Sequence, residues 1–232
     1  MKVRMDNVSY RRGEWQLTAD AVFKTGVHIV TGRIGSGKST LSLILADIIR
    51  PDNGSIHPEG ISSKTLSMQF PEYHVTGHTI NDEISSWKLK PAEILAKVGL
   101  SGRGNEKTLQ LSGGEMKRLH LTCQLSKDWD LLILDEPFSS LDCIQKQKLC
   151  RELESRNNCI LIILTHEQNI LPKVDYIWEM DGGHLRYVGE VAYALEKWDG
   201  APGHIRHALS KGVVPDNIRE KDAMEALCRM QD

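Results

Sequence analysis

The sequence has no long apolar run. Its longest continuous stretches, Leu131 to Leu134 and Ile160 to Leu164, fall far short of the roughly 20 residues that cross a bilayer, so no transmembrane helix is expected. The opening Met1-Lys2-Val3-Arg4-Met5-Asp6 has no apolar core, so no secretory signal is expected either. Net charge is small: a formal −2 lacks the basic footprint of nucleic-acid-binding domains, and no nucleic-acid partner is expected. Cysteines number five and none are paired as Cys-x-x-Cys. That argues against both a disulfide framework and a cysteine zinc site and fits a reduced cytosol. Internal repeats and low-complexity blocks are absent. What remains, 232 residues with 40% hydrophobic and 26% charged side chains, is a globular chain long enough to bury a substantial core, as one large domain or one core with a small satellite.

From Lys2 to Thr31 the apolar residues alternate (Val3, Met5, Val8; Trp15, Leu17, Ala19, Ala21) between the turn signals Gly13 and Gly26. This predicts a small antiparallel sheet feeding a buried strand, Val27 to Thr31. Tyr10 either covers the sheet edge or serves as a platform for a nucleotide base. The strand runs into Gly32-Arg33-Ile34-Gly35-Ser36-Gly37-Lys38-Ser39-Thr40, and a helix from Ser39 to Ile49 follows, with Leu41, Ile44, Leu45 and Ile48 on one face. Strand, glycine loop and helix form the context a phosphate-binding P-loop requires. The glycines let backbone N–H groups converge, Lys38 can reach the β and γ phosphates, and Ser39 can place a hydroxyl on Mg²⁺.

Further along, a short strand Thr65 to Met68 ends at Gln69, and Thr79-Ile80-Asn81-Asp82-Glu83 starts a helix. Pro91 to Gly99 is a second short helix. Residues 84 to about 128 read as a helical insert. It ends on Leu111-Ser112-Gly113-Gly114-Glu115 and the amphipathic run Met116 to Leu125. Those glycines open a helix N-terminus that can bind an anion or merely cap the helix. The buried run Leu131 to Leu134 delivers Asp135 and Glu136, where Asp135 can serve Mg²⁺ and Glu136 can polarise an attacking water. Cys159 to Leu164 delivers Thr165-His166-Glu167, the fourth strand end to bring a polar group to one edge. Val174 to Met180 and His184 to Val188 pair as a hairpin, and Glu190 to Trp198 is a helix. Beyond Asp199 only a weak apolar stripe, Ala223, Leu227 and Met230, is visible.

In this order, the P-loop at 32–40, Gln69, Leu-Ser-Gly-Gly-Glu at 111–115, Asp135-Glu136, Ser139 to Asp142 and His166 resemble the nucleotide-binding subunit of an ABC transporter. The resemblance covers about residues 1 to 190. It implies an α/β fold in which a P-loop NTPase core carries an N-terminal antiparallel β-subdomain and a small helical subdomain bearing the signature. The whole chain would then be a single ATPase domain with a C-terminal extension of about 199–232. The segments Gln69-Phe70-Pro71-Glu72 and Thr79 to Glu83 further resemble the energising ATPases of energy-coupling factor importers of vitamins and metal ions. His74 and Met116-Lys117 depart from that subfamily's pattern, where glutamines stand.

The family implies ATP and Mg²⁺ as ligands and a head-to-tail pair with a second ATPase subunit, identical or paralogous. One subunit's P-loop and the other's Ser112-Gly113-Gly114-Glu115 would clamp one ATP, with Asp142 nearby. Ser39, Gln69 and Asp135 would serve the metal, while Lys38, Gln69, Glu136 and His166 serve catalysis. It also implies separate transmembrane subunits and a place on the cytoplasmic face of the membrane. A different class, a soluble ABC-type ATPase acting on nucleic acid or ribosomes, is disfavoured because the gap from Lys38 to Ser112 is too short for a long coiled coil.

Overall fold

In the computed structural model, which describes residues 1–230, one nine-stranded mixed sheet organises the chain in the order β4-β1-β2-β9-β8-β3-β7-β6-β5. The last two positions of the C-terminal extension lie outside the described residues. β1 (Lys2–Arg12), β2 (Trp15–Lys24) and β4 (Asn53–Glu59) pair antiparallel, as the alternation predicts. They are not a separate sheet, however. The hairpin of β8 (Tyr176–Asp181) and β9 (His184–Glu190) bridges them to the core, with Thr18 in parallel register with His184. The core strands β3 (Gly26–Thr31), β5 (Lys64–Ser67), β6 (Leu131–Asp135) and β7 (Ile160–Thr165) run parallel.

Parallel strands with helices on both faces must be apolar on both sides, and β6 and β7 are buried along their whole length. Alternation sends Val30, Ile133 and Ile162 towards α1 (Lys38–Leu45) and the antiparallel strands. It sends Ile29, Leu132, Leu134, Leu161 and Ile163 to the other face, against Leu149 and Leu153 of α5 (Cys143–Glu154). A third cluster joins α2 (Ile80–Ser86), α3 (Pro91–Val98) and α4 (Gly113–Leu125) through Ile84, Ile94, Leu95, Met116 and Leu119. α1 stops at Leu45 rather than Ile49, and the stretch 190–198 holds only α6 (Val191–Ala194) and a 3-10 turn.

The C-terminal extension is less detached than its polarity suggests. α7 (Gly203–Ser210) and α8 (Glu220–Cys228) place Ile205, Ala208, Ile218 and Ala223 in the first core, whereas Met230 is exposed. Short, widely spaced apolar residues had no periodic run to announce them. No helix among the described residues is long and apolar enough to cross a membrane.

Candidate active site

Parallel register brings the motifs to one edge. Thr31 lies opposite Thr165, Asp135 opposite Leu164 and Ser67 opposite Leu134. The P-loop, Gln69, Glu136 and His166 therefore all leave the sheet at its carboxyl end, where open α/β sheets bind ligands. Ile34, Gly35, Gly37, Lys38, Ser39 and Thr40 line a cleft of about 340 Å³ with Gln69, Glu136 and His166. Gly32 and Arg33 flank a larger groove of about 1060 Å³ on the other side of the loop, towards Trp198 to Pro202. Lys38 and Glu136 line the smaller cleft and not that groove, while Asp135 lines neither.

Lys38 is buried, and its Nζ donates to the carbonyls of Gly32 at 2.8 Å and Arg33 at 3.1 Å. Glu136 lies 3.7 Å from it. Burial lowers the Lys38 pKa, and the neighbouring Glu136 and Asp135 oppose that shift. Asp135 is pushed up by burial and drawn back by Ser39. Its Oδ1 and the Ser36 hydroxyl are buried without a hydrogen-bond partner among the described residues.

Glu136 occupies the left-handed region at φ 49°, where a non-glycine residue is strained unless its surroundings hold it. Three donors do so. Thr165 Oγ1 donates to its Oε2 at 3.0 Å and the His166 N–H at 3.3 Å, while His166 Nδ1 lies 2.8 Å from Oε1. Strain held at one carboxylate by Thr165, the last residue of β7, and His166, which follows it, is the mark of a group whose orientation matters. Thr165 was not singled out from the sequence, because a threonine ending a strand carries no signal until β6 and β7 are aligned.

A glycine of the P-loop and another outside it explain the loop's shape. Gly37 has φ 112°, and a Cβ there would lie 2.7 Å from the Trp15 ring. Gly183, at the turn between β8 and β9, donates its N–H to Ser36 O at 3.0 Å, and a Cβ on it would lie 2.0 Å from Gln16 O. The hairpin thus braces the loop from outside the motif.

Family membership follows from comparison with known proteins. The ABC transporter family model matches residues 21–139. The chain belongs to the ABC transporter family. It is 32% identical over 221 residues to an energy-coupling factor transporter ATP-binding protein (EcfA1) of Thermotoga maritima, covering 85% of each chain. It is 28% identical to a methionine import ATP-binding protein (MetN 2) of Salmonella paratyphi A, covering 86% of this chain and 70% of that one. Among solved structures, CbiO1 of Clostridium perfringens, described as part of the ABC transporter complex cbiONQ, superposes with a TM-score of 0.62 at 22% identity. The match covers 81% of this chain and 88% of that one. The fold is thus the mixed α/β P-loop NTPase fold of ABC ATPases, and the protein is an ATP-hydrolysing ABC ATPase of transport.

Three of the expected nucleotide-binding residues lie outside the lining of the smaller cleft. Tyr10 does not line the cleft; it packs partly buried against the second core, and Trp15 and Arg12 form the cleft wall instead. The hairpin joining β1 to β2 is so tight that Trp15 lies opposite Arg12 in register, at the end nearer the P-loop. Asp142 is the N-cap of α5, its carboxylate accepting the Gln145 N–H at 2.8 Å. Glu115 closes a capping box with Ser112 and pairs with Arg103 at 2.5 Å. Its pKa falls to about 2, chiefly because of the Ser112 N–H. Each carboxylate accepts at a helix start, and the Ser112 to Glu115 spacing is the capping-box pattern; Asp142 is itself exposed.

An expected result follows for the base. Trp15→Ala should weaken ATP binding about tenfold, in line with roughly 1–3 kcal/mol for a base stacked on an aromatic ring, and Tyr10→Ala should leave it nearly unchanged. Isothermal titration of both variants with ATP decides between the two rings; the reverse ranking would return the platform to Tyr10.

Proposed function

We propose that this ATPase powers passage of a small solute, a vitamin, a metal ion or the like, through separate transmembrane subunits, working as a head-to-tail pair on the cytoplasmic face of the membrane. One observation carries the paired reading. Ser112 and Gly113 are exposed, and they do not line the cleft formed by the P-loop, Gln69, Glu136 and His166. A Cβ on Gly113 would meet nothing within 4 Å. An N–H-rich helix start facing open space is a half-site for a phosphate held by another chain. The helical segment and the extension to residue 230 are then parts of one ATPase domain.

In this reading Lys38 and the P-loop amides hold the β and γ phosphates, with the second subunit's signature closing over them. Glu136, oriented by Thr165 and His166, takes a proton from the attacking water, and His166 positions the γ phosphate. Mg²⁺ suits the donors present: a buried Asp135 Oδ1 without a partner, the Ser39 hydroxyl and the Gln69 amide. No cluster of three or more His, Cys, Asp or Glu able to hold a metal occurs among the described residues. This fits a cation bound by few protein oxygens together with phosphate rather than by a protein cage. When bound, the ion would neutralise charge developing between the β and γ phosphates.

The energy-coupling factor and CbiO relatives and the absence of a membrane-spanning helix among the described residues support transmission to other chains. Exposed Phe70 and Tyr73, ring centroids 6.1 Å apart beside Gln69, suit a contact with them. Affinity purification from detergent-solubilised membranes should recover integral membrane subunits in stoichiometric amount. Recovery of none, together with turnover stimulated by nucleic acid, would move the protein to the soluble class.

A further inference from the structure

Lysine is seldom fully buried, because an ammonium withdrawn from water needs replacement partners. Lys117, on the second turn of α4, is 1% exposed. Its Nζ donates to the main-chain carbonyls of Met68 and Gln69, each at 3.1 Å. The same short segment is gripped from a second side: the Met68 N–H donates to Nε2 of His74 at 2.9 Å. Further along α4 the buried Gln124 amide donates to Leu66 O at 3.0 Å. Residues 117 and 124, two turns apart on one helix face, thus fasten the signature helix along the end of β5 and into the Gln69 loop. His74 and Lys117 are two of the three positions at which the chain departs from the energy-coupling factor resemblance, and the fold brings both to Met68.

Burial brings the Lys117 pKa down to about 8, against the opposing pull of Asp135 and Glu136 at the end of β6 and of Glu72 in the 3-10 turn Pro71–His74. Behind His74 lie His120 of α4, 5.8 Å away between ring centroids, and Glu83 of α2, 3.8 Å from His120 Nδ1. A buried charge with two neutral carbonyls as its hydrogen-bond acceptors is an expensive way to fill space, and an apolar side chain would pack there more cheaply.

We propose that Lys117, with His74 opposite it, is a positioning residue that fixes the Met68–Gln69 backbone. It thereby delivers the Gln69 side chain to the nucleotide cleft in register with the signature helix. The inference rests on the reading of Gln69 as a metal-side residue of the ATP site. Lys117 acts on ATP only through Gln69.

The test uses the full chain and ATP, titrated calorimetrically with Mg²⁺ and with EDTA. Lys117→Met should reduce the Mg²⁺-dependent gain in ATP affinity about tenfold, the scale of hydrogen bonds lost from a charged donor, and leave affinity in EDTA unchanged. Gln69→Ala should remove the same gain, and the double variant should be no worse than Gln69→Ala alone. Amide exchange at Met68 should quicken in Lys117→Met while α1 stays protected. Lys117→Gln, which keeps an amide donor, should recover part of the gain and serves if the methionine variant does not fold.

Additive losses in the double variant, or an equal loss in EDTA, would show a general structural role and overturn the proposal. If Gln69→Ala loses the gain while Lys117→Met and Lys117→Gln keep it, the Gln69 reading stands and the proposal alone falls. If Gln69→Ala keeps the full gain, both fall together.

Discussion

Glu136→Gln is expected to lower steady-state ATP turnover by about a hundredfold or more, the scale of a lost general base, with ATP binding retained or tightened. The substitution keeps the side chain's shape, so an amide oxygen can still accept from Thr165 Oγ1 at the position where the carboxylate accepts now, at 3.0 Å. What is lost is the negative charge that polarises water and draws its proton. Binding survives because Lys38 is anchored by the carbonyls of Gly32 and Arg33 as well as by Glu136. Removing a carboxylate 3.7 Å from Lys38 also removes repulsion against the incoming γ phosphate. With hydrolysis blocked, ATP should hold two chains together, visible as a dimer in size-exclusion chromatography with light scattering. Steady hydrolysis at the wild-type rate would remove Glu136 from the mechanism and leave His166 as the alternative base.

Ser112→Arg is expected to abolish turnover while ATP still binds the P-loop of the single chain. Ser112 is exposed and carries the N-cap of α4, accepting the Glu115 N–H at 3.3 Å and donating to its carboxylate at 2.8 Å. Loss of the cap costs about 1 kcal/mol of stability, which a fall in Tm would register. An arginine adds bulk where a phosphate oxygen of the second chain's ATP should sit. Ser112→Ala is the control: it loses the same cap without the bulk and should retain most activity. Equal turnover in the two variants, or normal ATP-dependent dimer formation by Ser112→Arg, would count against a shared site.

Much of the fold was legible because its signals are local. The two-residue alternation of β1 and β2, the apolar runs of β6 and β7 and the strand, glycine loop and helix around Lys38 are each contiguous in sequence. The end of α1 was not, because Asp47 turns left-handed at φ 63°, nor was the packing of α7 and α8, whose apolar residues meet a core built from distant strands. How the antiparallel strands join the core was also not legible, because the link is a hairpin whose His184 pairs with Thr18, 166 residues earlier.

Residue types and their spacing set the chemistry available: a phosphate-binding loop, carboxylates at a strand end, and a second helix start rich in backbone donors. Those patterns depend on residue type at short spacing, and short spacing survives without knowledge of the fold. Folding set how the groups are used. It made Asp142 the N-cap of α5, closed a capping box between Ser112 and Glu115, and left Glu136 strained and aimed. It set Trp15 rather than Tyr10 in the cleft wall and buried Lys117 against Met68 and Gln69. The physical reason is common to all of these. A polar side chain acts where its other hydrogen-bonding demands leave it free, and those demands are met by partners that only folding brings within about 3 Å.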